Sequence, residues 1–95
     1  MVVERLQSVS HADLKRLVPR LFPDEPPPRW QGELCLINFR CGLSLRIELD
    51  AEQERRIAAL RLVSTPLRFV FTGWPPARVD VVMRRIEQAL QQGGG

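Results

Sequence analysis

Tyrosine is absent from this sequence of 95 residues, histidine occurs once and cysteine twice. His11, Cys35 and Cys41 therefore form no Ser–His–acid or Cys–His arrangement for nucleophilic catalysis. Their spacing also differs from the C-x2-C and H-x3-H patterns that are typical of zinc sites. The internal glycines are isolated, so there is no glycine-rich phosphate loop. We expect no enzyme activity, no bound metal and no cofactor.

Long apolar runs are missing too. No run approaches the roughly 20 residues that a membrane span needs, and residues 1–5 lack the basic and then apolar pattern of a signal peptide. Cys35 and Cys41 are six residues apart, about 20 Å along an extended strand, whereas bridged Cα atoms lie within about 7 Å. Two free thiols are typical of a reducing compartment. We expect a cytoplasmic protein that does not contact a membrane.

The excess of positive charge is small and dispersed. Fourteen basic residues, among them the single lysine Lys15, are spread among eleven acidic ones, and the net charge is +3. A nucleic-acid interface is expected to form a clustered basic patch or stripe, and the sequence has none. We therefore do not expect nucleic acid to be the main partner.

What the chain does contain is typical of a globular domain. Hydrophobic residues make up 44% and charged residues 26% of the sequence, and the length is that of one domain. We predict a single domain over residues 1–92. It contains a proline-rich internal loop at residues 23–32 and ends in a flexible glycine tail at residues 93–95.

The clearest structural signal lies in residues 33–49. Residues 34–39 are almost all apolar, and a short segment containing Gly42 follows them. After it, Leu45, Ile47 and Leu49 alternate with polar residues, which is the period of a strand with one buried face. Two such runs separated by a glycine-containing break predict a β-hairpin.

The other elements follow from caps and periodicity. Ser10 is a candidate N-cap for a helix that ends or kinks at Pro19, and Asp50 is a candidate N-cap for a second helix over residues 51–63. Residues 2–9 and 67–72 are predicted strands. Helical spacing then defines a last amphipathic helix through Val79, Val82, Met83, Ile86 and Leu90. The order strand-helix-strand-strand-helix-strand predicts an α+β, ferredoxin-like two-layer sandwich with an additional C-terminal helix.

One feature of this fold suggests a function. In the ferredoxin-like order the strand at residues 34–39 lies at the sheet edge, yet it is apolar on both faces, and such an edge needs a cover. Trp30, Trp74 and the proline-rich loop could supply this cover within the chain; otherwise a second subunit or a larger partner supplies it. The candidate interaction surface comprises Trp30, Leu34, Cys35, Leu36, Ile37, Phe39 and Trp74. We therefore expect a non-enzymatic interaction module, which forms a homodimer or docks on a protein partner through its sheet edge or open face.

A second hypothesis comes from the segment Phe69-Val70-Phe71-Thr72-Gly73. Together with the amphipathic helix that follows, it resembles the last strand and helix of the C-terminal domain of CobW-type metal-trafficking GTPases. The resemblance implies an accessory domain that contacts a partner or gates a site elsewhere. It carries over no catalytic residue, and Cys41 is the one candidate contact for a metal or small ligand.

A third hypothesis is weak RNA binding. Arg46 and Arg68 are predicted to lie on the open face of the sheet, where they would form a small anion-binding spot. RNA-recognition modules stack bases on aromatic side chains of that face, whereas Phe69 and Phe71 share an apolar face with Leu67. We therefore interpret these aromatic residues as core.

Overall fold

The computed structural model describes residues 1–93. The elements are β1 (Val2–Gln7), α1 (His11–Leu21), β2 (Arg29–Gln31), β3 (Leu34–Asn38), β4 (Ser44–Leu49), β5 (Gln53–Ile57), β6 (Leu60–Thr72) and α2 (Pro76–Gly93). Five strands pair in the order β1-β6-β4-β3-β2, and β5 pairs with the first part of β6. All pairs are antiparallel. The described chain is therefore an α+β protein with a six-stranded antiparallel sheet and two helices.

Both helices pack on the same face of the sheet. Alternate strand residues point to this face, so that Cys35, Ile47 and Phe69 lie side by side on β3, β4 and β6. The core residues of the helices are Leu14, Val18, Leu21, Val79, Met83, Ile86 and Leu90. A buried side chain of this size contributes about 1.5–3 kcal/mol relative to its exposed state, so this one layer is the main source of stability.

Several local predictions are confirmed. Strands β3 and β4 pair as the predicted hairpin, with Ile37 opposite Leu45. The hydroxyl of Ser10 accepts a hydrogen bond from the N–H of Asp13 at 3.1 Å, as expected of an N-cap. The predicted end of α1 at Pro19 is wrong, however, because the helix continues to Leu21, whose side chain is buried in the core.

The predicted helix over residues 51–63 is wrong. Strand β5 follows β4 after a short break, and both pair with the single long strand β6. The pairing of β1 with β6 ends at Thr65 and the pairing of β4 with β6 ends at Leu67, so the β5–β6 ribbon extends past the sheet. We call this ribbon, residues 53–64, the arm. The described chain is accordingly elongated, with extents of 47 × 23 × 21 Å.

Asp50, the expected N-cap, and Pro66, which follows the predicted helix, instead mark the base of the arm. The N–H of Asp50 donates to the carbonyl oxygen of Pro66 at 3.0 Å. Proline provides no N–H for a ladder, but Pro66 lies opposite the break between β4 and β5, where its missing donor does not interrupt the pairing. Strand β6 therefore runs through Pro66 instead of beginning after it.

Other boundaries also differ from the prediction. The ferredoxin-like layout is not confirmed, because its second helix is replaced by the arm. The predicted loop at residues 23–32 contains the short strand β2, which pairs with Leu34–Leu36. Gly93 is the last residue of α2, and the other two glycines of the predicted tail lie outside the described residues.

Candidate interaction surfaces

The sheet face opposite the helices carries a row of alternating charges. Glu4, Arg68 and Glu48 are neighbours on β1, β6 and β4. Arg68 Nη2 lies 3.2 Å from Glu4 Oε1, and Arg68 Nη1 lies 3.8 Å from Glu48 Oε1. Arg46 Nε lies 2.9 Å from Glu48 Oε2. This open face therefore has positive and negative groups in nearly equal number.

The two predicted anion contacts both belong to this network. Arg46 and Arg68 are on the open face, as expected, but each guanidinium already pairs with a carboxylate. An incoming phosphate would have to displace Glu48 or Glu4. The geometry thus disfavours the RNA hypothesis at this position.

Apolar side chains flank the charged row. Val2 is 55% exposed, Leu6 60% and Leu36 37%. A shallow depression of about 400 Å³ lies beside the row, lined in part by Leu6, Pro66 and Arg68. The open face is thus a mixed surface with apolar residues on both sides of a charge-balanced row.

The predicted surface residues of β3 divide between the two faces. Leu36 is exposed and Leu34 half-buried, and their register with β4 places them on the open face. Cys35 and Ile37 point the other way and are fully buried under the helices. Only the first pair is therefore accessible to a partner.

The three aromatic residues of the predicted surface serve mainly to close the core. Trp30 is half-buried on β2, with Lys15 Nζ 5.8 Å from its ring centroid. Phe39 and Trp74 pack edge to face at 5.1 Å. Trp74 is buried and its indole N–H donates to the carbonyl oxygen of Ser44 at 2.8 Å. We do not count these rings as contact surface.

The edge that motivated the interaction hypothesis is not at β3. Strand β2 covers the outer side of β3 from Leu34 to Leu36. Three prolines at residues 26–28 precede β2 and shorten that edge, which is a common protection against strand addition. Strand β2 has no clear signal in the sequence, because it has three residues and follows this proline run.

The arm is the most exposed part of the described chain. Every residue of β5 is exposed, and the exposed fractions of Ile57, Leu60 and Leu62 are 50%, 66% and 49%. Glu54 Oε1 pairs with Arg61 Nε at 2.9 Å and with Arg56 Nε at 3.4 Å. The arm thus combines uncovered aliphatic side chains with charges that are partly compensated.

A groove runs along the base of the arm. Its volume is about 670 Å³, and it lies where β1 has ended and β6 continues alone on that side. Leu6, Val9, Leu62 and Val63 provide its apolar lining, and Arg55 and Asp13 are among its charged residues. Sequence reasoning missed this groove together with the arm.

The single histidine holds the base of the arm. Its Nδ1 lies 2.9 Å from Glu33 Oε2, and its Nε2 lies 2.6 Å from the carbonyl oxygen of Asp50. The backbone N–H of His11 donates to Glu52 Oε1 at 2.6 Å. These contacts join the start of α1 to the β2–β3 turn and to the β4–β5 break.

The two cysteines differ in accessibility. Cys35 is buried, and burial raises the pKa of its thiol from 9.0 to about 11. Cys41 is exposed in the β3–β4 turn. Among residues 1–93, no group of three or more Cys, His, Asp or Glu side chains is arranged to hold a metal ion. Neither helix in that range is long and apolar enough to cross a membrane.

Comparisons with known proteins add little to this geometry. No protein-family model matches the chain, and no curated protein matches it significantly. Among solved structures, the chain is similar to an uncharacterised protein from Bacillus thuringiensis, with 11% identity and a TM-score of 0.42. That match covers 99% of this chain and 97% of the other.

Proposed function

We propose that the chain is a non-enzymatic protein–protein interaction module that docks through the open face of its sheet and the arm that continues it. The observation that carries the proposal is the set of exposed aliphatic side chains on this side of the molecule. Leu36 and Leu6 lie on the open face. Leu60 and Leu62 are even-numbered residues of β6 like Arg68, so their side chains continue the open face along the arm. The twist of the ribbon turns them relative to the rest of that face.

The charge pattern favours a protein over a polyanion. The row of Glu4, Arg68 and Glu48 alternates in sign. A protein surface that has both positive and negative side chains can form ion pairs with such a row. Nucleic acid would have to displace Glu4 or Glu48 from Arg68, which lowers its affinity. An accessory domain of the kind that the CobW resemblance implies would use the same surface.

The experiment is affinity capture from nuclease-treated extract with three baits. Leu36→Lys places a third cation beside Arg29 and Arg46, its cross-strand neighbours. The matched control is Val81→Lys, because Val81 is an exposed aliphatic residue on α2, away from the sheet. Equal melting temperatures of the three baits establish that they fold alike.

We expect the wild type and Val81→Lys to retain the same protein in stoichiometric amount and Leu36→Lys to lose it. Capture that is unchanged by Leu36→Lys would overturn docking through the open face. Retention that appears only when the nuclease treatment is omitted would support the RNA hypothesis instead.

A further inference from the structure

We infer that two copies of the chain associate through the outer edges of their β6 strands in the arm, with Leu62 opposite Leu62 across a two-fold axis. The inference rests on the proposed function, because it names a second copy of the chain as a partner of the arm. Four steps lead to it: the free edge, the register, the charge pattern and the groove.

Strand β6 presents its backbone groups alternately to its two sides. The carbonyl oxygen of Pro66 accepts from Asp50, so the even-numbered residues of β6 face β4 and β5. The N–H of Phe71 donates to the carbonyl oxygen of Met1 at 2.8 Å, so the odd-numbered residues face β1.

This alternation leaves a short free edge on the arm. Strand β1 ends its pairing at Thr65, and within residues 1–93 no strand pairs with β6 on that side before this point. The N–H and C=O groups of Arg61 and Val63 therefore point outward. They are the donors and acceptors that an added strand would use.

One antiparallel register satisfies these groups in both copies. With Leu62 on the axis, Arg61 of each copy lies opposite Val63 of the other. Both members of each such pair are outward-pointing, so the two pairs form four backbone hydrogen bonds. The Leu62 side chains meet at the centre in a non-hydrogen-bonded pair, in which facing side chains are closest.

The charges of the arm are compatible with this pairing. Antiparallel pairing of two β5 edges through their centre would place Arg55 opposite Arg55, which is destabilising, although Glu54 and Arg56 would then form two opposite-charge pairs. On β6, a two-fold axis at Arg61 would place Arg61 opposite Arg61. With the axis at Leu62 no like charges face each other directly, and Arg61 already pairs with Glu54 in its own chain.

The groove at the base of the arm lies beside the edge that the second strand would join. It continues the line of β1 along β6, and Leu6, Val9 and Leu62 line it. Because Gln7 already lies opposite Thr65, the tip of the second arm would turn away from β6 into this groove. A two-stranded ribbon alone is only marginally stable in water, and this pairing would make the two arms a four-stranded sheet.

The test is disulfide trapping in a Cys41→Ser background, in which Cys35 is the only other thiol and is buried. Facing residues of a non-hydrogen-bonded pair have Cα atoms about 4.5 Å apart, within the range of a disulfide. We expect Leu62→Cys to give a covalent dimer under mild oxidation. The matched control is Leu60→Cys, which is at least as exposed but lies about 13 Å along the strand from its counterpart. It should give little dimer.

Sedimentation of the uncrosslinked protein provides an independent readout. Val63→Pro removes an outward N–H without touching the pairing with β5, whereas Val63→Thr keeps that N–H. We expect Val63→Pro to weaken dimerisation at least about tenfold and Val63→Thr to leave it nearly unchanged.

A chain that sediments as a monomer up to submillimolar concentration would overturn the inference, as would equal trapping of Leu62→Cys and Leu60→Cys. The proposed function fails on a different result. If Leu36→Lys loses a partner while the arm does not self-associate, docking through the open face stands and the arm pairing does not.

Discussion

Thr65 Oγ1 donates a hydrogen bond to the carbonyl oxygen of Val9 at 2.7 Å. Thr65 is the one buried polar residue among those that the structure describes, and it lies where β6 leaves the sheet to form the arm. Val9 belongs to the segment that leads into α1. This bond therefore ties the base of the arm to the helix layer.

Thr65→Val should lower the free energy of unfolding by about 1–2 kcal/mol, because it deprives a buried carbonyl of its donor while keeping the shape of the side chain. Urea denaturation measures the change. Thr72→Val is the matched control, since Thr72 is exposed at the other end of β6. An equal loss for both variants would contradict the role assigned to Thr65.

The two thiols should react at very different rates. At about pH 8 the native protein should consume one equivalent of a thiol reagent, because Cys41 is exposed and Cys35 is buried with a raised pKa. In denaturant it should consume two. Native Cys41→Ser should consume none, and rapid labelling of that variant would show that the core over β3 opens readily.

The raised pKa of Cys35 also predicts a pH dependence of stability. The unfolded thiol loses its proton near the ordinary value of 9.0, whereas the folded thiol keeps it to about 11. The unfolded state is therefore favoured as the pH rises through this window. We expect the free energy of unfolding to fall as the pH rises from 9.0 to about 11. Cys35→Ala should make this fall shallower. Identical slopes for the two proteins would contradict the assignment.

Glycine substitutions in the turn of the arm should change stability in a direction that distinguishes a ribbon from a helix. Ala58 has a φ of 55°, in the left-handed region that favours glycine. Ala58→Gly should raise the free energy of unfolding by up to about 1 kcal/mol, while Ala59→Gly, which lacks a positive φ, should lower it by roughly 0.5–1 kcal/mol. In a helix both substitutions would lower it by a similar amount. Thermal denaturation of the two variants separates these outcomes.

Local sequence signals were sufficient where one element contains its own information. The β3–β4 hairpin is encoded by the alternation of residues 43–49 and the break at Gly42. The helical spacing of Val79, Met83, Ile86 and Leu90 is likewise local, and all four are buried in α2. Patterns of this kind require no knowledge of the partner element.

The arm and β2 form by pairing with other strands of the chain, which the local sequence pattern does not specify. Residues 51–63 are rich in alanine, glutamate and arginine, but helix propensities differ by only tenths of a kcal/mol per residue. A helix there would have had a thin apolar stripe of Ile57 and Leu60. Strand β5 forms instead by pairing with the first half of β6, in a register offset by one residue from that of β4. The candidate surface was predictable only in part. Alternation predicted which residues of β3 are exposed, but the groove could not be predicted without knowing that the arm exists.

Residues 53–64 form a β-ribbon in this structure, and proton NMR tests this directly. Arg56 and Arg61 form a cross-strand pair, as do Glu54 and Val63, and both are non-hydrogen-bonded pairs in this register. We predict strong nuclear Overhauser effects between the Hα protons within each pair, with strand-like Cα chemical shifts on both sides of Ala58. Helical chemical shifts over residues 51–63, with medium-range contacts in place of these cross-strand ones, would contradict the account.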